Sequence, residues 1–290
     1  MKIIAFDSAF GWIKHAGGIS KLIEMRGIHR LESPPERILF WSNRITIILD
    51  CLVRRKRCFM EREEWKAIPW TAGIEPRRLN FLVQNIFCDV PGLMEDESTL
   101  KELSNHKVEG SKRELLIKVM TYFQQLYFWR SDWETTYPAS CSELNIGGKK
   151  PFQVVLYYST LDRANEIILY DSILLLLWRL GRAIVGQSFR PPKPERILRT
   201  NQYLLLPGEL TSQQAVATEI CRSVDFLLLE EHRITGAYFL LFPLKLVMQE
   251  YAEGGEEAAW LAWKMQQIAD LTGFEISRSL AVKEPLVLKS

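Results

Sequence analysis

The sequence is poor in nearly every signature that announces chemistry. It contains no GxGxxG, GxxxxGK(S/T), GxSxG or HExxH. The common dinucleotide, nucleotide, serine-hydrolase and zinc-protease motifs are therefore absent. Only four histidines occur, His15, His29, His106 and His232, and none lies at metal-ligand spacing from another histidine or a cysteine. Cys51, Cys58, Cys88, Cys141 and Cys221 are odd in number and form no CxxC. That disfavours a disulfide scaffold and suits reduced thiols in cytosol or nucleus. Charge of one sign is also missing. The formal net charge is +2, so no global field calls for nucleic acid or acidic lipid. No apolar run is long enough to span a bilayer. Asp171 and Arg179 interrupt the greasiest stretch, 167–186, leaving Ile173 to Trp178 unbroken, whereas a span needs roughly 20 residues. A buried core helix is the better reading. The first residues, MKIIAFDSAF, offer too short an apolar stretch for a signal peptide.

What remains is helical periodicity. The 290 residues are 47% hydrophobic and 25% charged, the balance of a globular chain. The expected fold class is all-α: a large array of about nine or more helices with no substantial sheet. The chain reads as a single all-helical domain over 1–280, with a possible subdomain break near 187–210 and a tail over 281–290. Trp12, Ala16, Ile19, Ile23 and Arg26 recur as one helix face, and Gly27 suits its end. Ser33-Pro-Pro-Glu36 reads as a capping box opening a helix to about Arg57, with Ile38, Trp41, Ile45, Ile48 and Leu52 on one face. Further helices are expected over 77–90 (stopped by Pro91-Gly92), 95–105, 111–134, 161–185, 211–232, 235–251 (bent near Pro243) and 256–271. Residues 137–151 read as a loop. Phe152 to Tyr158 has strand composition but no visible partner, so a lead-in to the next helix is preferred.

Several residues invite a functional reading. Gly17-Gly18 lies inside an amphipathic pattern, where close helix packing is favoured over a phosphate cradle. His15 reads as a structural histidine before a ligand. The run Arg54-Arg-Lys-Arg57 suits either nuclear import or a cationic helix end facing Glu61, Glu63 and Glu64, and the helix end is preferred. Nine Trp, nine Tyr and fourteen Phe could line a pocket for a greasy or planar ligand, or fill a core.

The opening stretch follows the pattern W-x-x-H-x-x-G-x-x-x-L-I-x-x-R-G, from Trp12 through His15, Gly18 and Arg26 to Gly27. It resembles the regulatory region of fungal-specific zinc-cluster transcription factors. Arg37-Ile-Leu-Phe40, Arg44, Cys58-Phe-Met60, Glu64-Trp65 and Pro69-Trp70 resemble that family's next segment. Ala164 with Tyr170-Asp-Ser-Ile-Leu-Leu resembles its long apolar helix. Ala217 to Val224 with Cys221, then Gly236, Leu241-Phe-Pro-Leu244, Trp260 and Gly273-Phe274, resemble its C-terminal portion. The resemblance implies an all-helical regulatory domain in which Trp12, His15, Gly18, Arg26, Gly27, Arg44, Trp65, Cys221 and Trp260 are family-motif positions of structural or pocket character. The six-cysteine zinc cluster of that family is absent. Cys51 and Cys58 enclose six residues, a gap seen inside such clusters, but the CxxC pairs are missing and a helix end is preferred.

The expected function is a transcription-regulator-like domain without its own DNA reader. It would act through protein partners, possibly other transcription factors, in the nucleus, and could sense a small hydrophobic or aromatic ligand. No cofactor, metal, membrane or direct DNA binding is expected. The alternatives are a stand-alone enzyme or small-molecule binder of fungal secondary metabolism, with His15, Glu24, Asp171 or His232 as acid–base candidates, and a truncated gene product with no independent role.

Overall fold

The computed structural model describes residues 9–71, 78–100, 105–147, 151–274 and 276–281. They fall into two compact units, one built from 130–175 and 193–281 (unit 1), the other from 12–129 and 176–192 (unit 2). The expected multi-helix all-α class holds, with a minor two-stranded sheet. No described helix is long and apolar enough to cross a membrane. The expected tail at 282–290 lies outside the described residues.

Unit 2 begins with α1 (Ala9–Arg26), closed at Gly27, whose φ of 71° is the left-handed backbone that glycine supplies. A 3-10 turn at Ile28–Glu32 leads to α2 (Pro34–Arg54). Pro34 occupies the first turn as expected, but the capping box does not form. Ser33 Oγ donates to the Glu36 carboxylate at 3.1 Å instead of serving the backbone. α2 stops three residues earlier than the sequence suggests because Arg55 turns left-handed, at φ 51°. Its inner face is also rotated from the expected stripe. Phe40, Arg44, Ile47, Ile48 and Cys51 are buried while Ile38 is 62% exposed. The charged Arg44 is an inward position, so an apolar-only count misplaced the face.

A 3-10 turn at Phe59–Glu61 and α3 (Glu63–Thr71) precede α4 (Arg78–Leu100). Two expected helices are here one. Pro91-Gly92 was expected to end the first, yet α4 runs through both residues to Leu100. The reason is tertiary. An added Cβ on Gly92 would lie 2.6 Å from Glu61 Oε2 and 2.8 Å from Arg57 Nη1, so this ion pair sits directly on the helix where it is bare. α5 (Asn105–Thr136) follows, with Leu115, Val119, Leu126 and Trp129 buried at the expected spacing.

Unit 1 holds the correction to the strand reading. β1 (Cys141–Asn145) pairs antiparallel with β2 (Val154–Tyr158), Cys141 opposite Tyr158 and Asn145 opposite Val154. The partner was hidden because β1 is mostly exposed and polar, CSELN, and carries no apolar alternation. α6 (Leu161–Val185) buries Ile167 to Leu175 almost completely, as a core helix should. The expected helix over 211–232 is divided into α7 (Gln213–Arg222) and α8 (Val224–Leu227). Its cap is Ser212, whose hydroxyl accepts from the Ala215 amide at 3.1 Å. α9 (Arg233–Val247) carries Pro243 within it and ends short of Tyr251. α10 (Glu256–Thr272) ends at Gly273, φ 72°, and α11 (Ile276–Leu280) completes the unit. Where α9 meets α8 the backbones touch. A Cβ on Gly236 would fall 1.9 Å from the Leu227 carbonyl oxygen.

Candidate functional site

Each unit contains a buried centre built around an arginine. That of unit 1 starts at the C-terminal end of α5, where Arg130 and Glu134 stand one turn apart. Both are 0% exposed, and Arg130 Nη2 donates to Glu134 Oε1 at 2.7 Å. The Arg130 guanidinium also sits 5.4 Å from the Trp133 ring and 5.8 Å from the Tyr170 ring. Glu134 Oε2 accepts from the Thr200 amide (2.8 Å), the Thr200 hydroxyl (2.8 Å) and the Asn201 amide (2.8 Å). Burial alone would raise this carboxyl. Arg130 and these donors outweigh burial and hold it below its usual range. Asn201 continues the network, its Oδ1 accepting from the Ser140 and Cys141 amides at 2.7 and 3.2 Å.

Two further carboxylates share this interior. Asp171 on α6 and Glu219 on α7 are 2% and 1% exposed. Burial, then the charge of Glu219, pushes Asp171 well above the usual carboxylate range, against the pull of Arg130. Burial lifts Glu219 to about 7, opposed by Arg130, by the Leu205 amide that donates to it at 3.1 Å, and by Arg222. Glu134, Asp171 and Glu219 thus outnumber the one guanidinium that faces them all. A buried like-charge pair resolves the excess by keeping a proton. Arg130 Nε and Nη1, Asp171 Oδ2 and Glu219 Oε1 have no hydrogen-bond partner among the described residues. Beside them Trp133 Nε1 donates to Glu166 at 3.0 Å, Arg163 pairs with Glu166 at 3.0 Å, and Tyr158 OH meets Ser223 Oγ at 2.8 Å.

The centre of unit 2 is the reverse, a cation without an acid. Arg44 is 1% exposed and stacks on Phe81 with its guanidinium carbon 3.9 Å from the ring centroid. Its Nη2 donates to Asn85 Oδ1 at 2.8 Å, while Nε and Nη1 have no partner. No ion pair to Arg44 occurs among the described residues. Burial lowers its pKa to about 10, the neighbouring Cys88 and Cys58 opposing. Trp65 packs edge-on against Phe59 at 4.6 Å and tilted against Phe40 at 5.6 Å.

The family-motif positions are dispersed. Arg44 and Trp65 enter this one core. Cys221 and Trp260 are buried in unit 1, Cys221 against Tyr251 and Trp260 against Phe152 at 4.8 Å. His15, Gly18 and Arg26 are exposed on α1, Arg26 lying 3.8 Å from Glu36. The packing role expected for Gly17-Gly18 holds only in part. Gly17 faces the Arg54 guanidinium, but nothing approaches Gly18 within 4 Å. The side chains of Trp12, Trp70 and His106 lie outside the described residues. The basic run is a helix end, but its partners are mostly other than those expected. Arg54 pairs with Asp50 (2.7 Å), Arg55 with Glu97 (2.5 Å), Lys56 with Glu95 (3.0 Å), and Arg57 with Glu61 (3.0 Å) and Asp96. Glu63 and Glu64 pair with Lys66 and Arg62 instead.

Of the buried carboxylates, sequence reasoning named Asp171 but not Glu134 or Glu219, and it missed Arg130. Arg130 and Glu134 at i, i+4, each directly following a tryptophan (Trp129 and Trp133), were the available signal. Among the described residues no group of three or more His, Cys, Asp or Glu is placed to hold a metal. Compared with family models, curated proteins and solved structures, the chain matches none.

Proposed function

We propose that this chain is a regulatory helical domain of the transcription-factor type that lacks its own DNA reader and works through protein partners in the nucleus. One observation carries the proposal. Residues that resemble one segment of the family pattern meet in one core: Phe40 and Arg44 from α2, then Cys58 and Trp65 beyond it. A motif spent on packing is a scaffold signature. The pairing of Arg54 to Arg57 with five carboxylates supports the expectation that the chain does not bind DNA unaided, since phosphate contact needs uncommitted cations. The aromatic richness supports a small hydrophobic or aromatic effector. Fusing the chain to an unrelated DNA-binding domain in fungal nuclei tests the proposal. Reporter output should change several-fold. A cooperatively folded fusion that is bound at the promoter yet leaves output unchanged would count against it.

A second reading, an enzyme or small-molecule binder of fungal secondary metabolism, is favoured by the Asp171–Glu219 pair beside Arg130, because strongly raised carboxyls cluster at reactive sites. Thermal-shift and turnover screening with aromatic metabolites, repeated on Glu219→Gln, separates the two readings.

A further inference from the structure

Two thiols of unit 2 share the wall of one cleft. Cys51 lies in the last turn of α2, and Cys58 follows a tight reversal in which Arg55 is left-handed and the Lys56 amide returns to the Cys51 carbonyl at 3.0 Å. The reversal brings the Cys58 thiol into side-chain hydrogen-bond contact with Cys51. Both line an open cleft of about 300 Å³ whose rim carries Arg57, Arg62, Glu24 and Glu61. The other thiols are engaged elsewhere. Cys88 Sγ donates to the Asn85 and Met60 carbonyls at 3.0 and 3.3 Å. In unit 1, Cys141 Sγ lies 3.7 Å from the Ser142 carbonyl and Cys221 bonds Tyr251.

We propose that Cys51 and Cys58 are a modification site: an adjacent dithiol that a low-molecular-weight zwitterionic disulfide oxidises to an intramolecular disulfide. The mixed charge of the rim suits a small molecule bearing both carboxylates and an ammonium. Both thiols are largely buried, but Cys51 is 8% exposed against 1% for Cys58, so Cys51 is the attacking sulfur. Cys51 gives its proton to solvent and attacks one sulfur of the small disulfide, whose bond breaks. The departing thiolate takes up a proton, leaving a mixed disulfide on Cys51. Cys58 then attacks the Cys51 sulfur and expels the second small thiol. The protein dithiol is oxidised by two electrons and one small disulfide is reduced to two thiols. This site does not depend on the proposed regulatory role.

The test uses the full reduced chain with glutathione disulfide as probe, followed by alkylation and peptide mapping. The expected product joins the Cys51 and Cys58 peptides, with the loss of two hydrogens, and leaves Cys88, Cys141 and Cys221 free to alkylate. Cys51, 8% exposed, should react roughly ten-fold or more faster than Cys221, 1% exposed, in the same sample, as expected for thiols of unequal access. Cys58→Ser should stop at the mixed disulfide on Cys51, and Cys58→Ala, checked for cooperative unfolding, should do the same. A cross-link to Cys88, or a Cys51 no faster than Cys221 in the unmutated chain, would overturn the proposal.

Discussion

Replacing Glu219 with Gln removes one buried charge while keeping an oxygen for the Leu205 amide. The folded chain lifts this carboxyl from its usual 4.5 to about 7, chiefly by burial. At about 1.4 kcal/mol for each pH unit, that separation corresponds to about 3 kcal/mol. The sign follows from the direction of the change. A carboxyl raised by folding binds its proton more tightly in the folded chain, so its contribution is fully present below about 4.5. It fades as pH rises and is lost above about 7. The unmutated protein should therefore lose stability between about pH 5 and about pH 8, while Glu219→Gln should keep more of it. At about pH 9 the variant should be the more stable by up to about 3 kcal/mol, and near pH 4 the two should nearly coincide. Urea unfolding followed by circular dichroism across this range measures both curves. Parallel curves, or a variant less stable at alkaline pH, would refute the electrostatic account of the Asp171–Glu219–Arg130 centre.

Arg44→Met and Arg130→Met should differ in kind. No carboxylate pairs with Arg44 among the described residues, so its replacement should be neutral or stabilising, whereas Arg130→Met strands Glu134, Asp171 and Glu219 and should cost about 3–5 kcal/mol in chemical denaturation. Gly236→Ala drives a methyl into the Leu227 carbonyl and should cost at least about 1–3 kcal/mol, read as a lowered thermal midpoint. Asn201→Ala leaves the buried Ser140 and Cys141 amides without their acceptor and should cost about 1–3 kcal/mol for each amide that water cannot reach, read in the same denaturation series.

Helical periodicity made most of the fold legible. α5, α6 and α10 lie close to where their apolar spacing put them, because each buries a long apolar face. Errors arose where long-range contact overrode local preference. Pro91-Gly92 reads as a stop until the Arg57–Glu61 pair is seen lying across it. β1 reads as loop because its stability lies in pairing with β2, not in its own composition. The polar centres were the least legible. Glu134 and Glu219 look like surface residues in a helical pattern, and their meaning depends on Asn201 and Leu205, 67 and 14 residues away. Asp171 alone stood out, as a charge inside an apolar run.

The uninterrupted course of α4 also bears on what holds a helix together. Pro91 has no amide to return to the preceding turn, and Gly92 is the weakest helix former after proline. A peptide spanning 78–100 would hold two short coils with a joint between them. In the folded unit the stretch after α2 lays Arg57 and Glu61 over the joint. Here the continuity of a helix is tied to a contact from outside it rather than to its own residues.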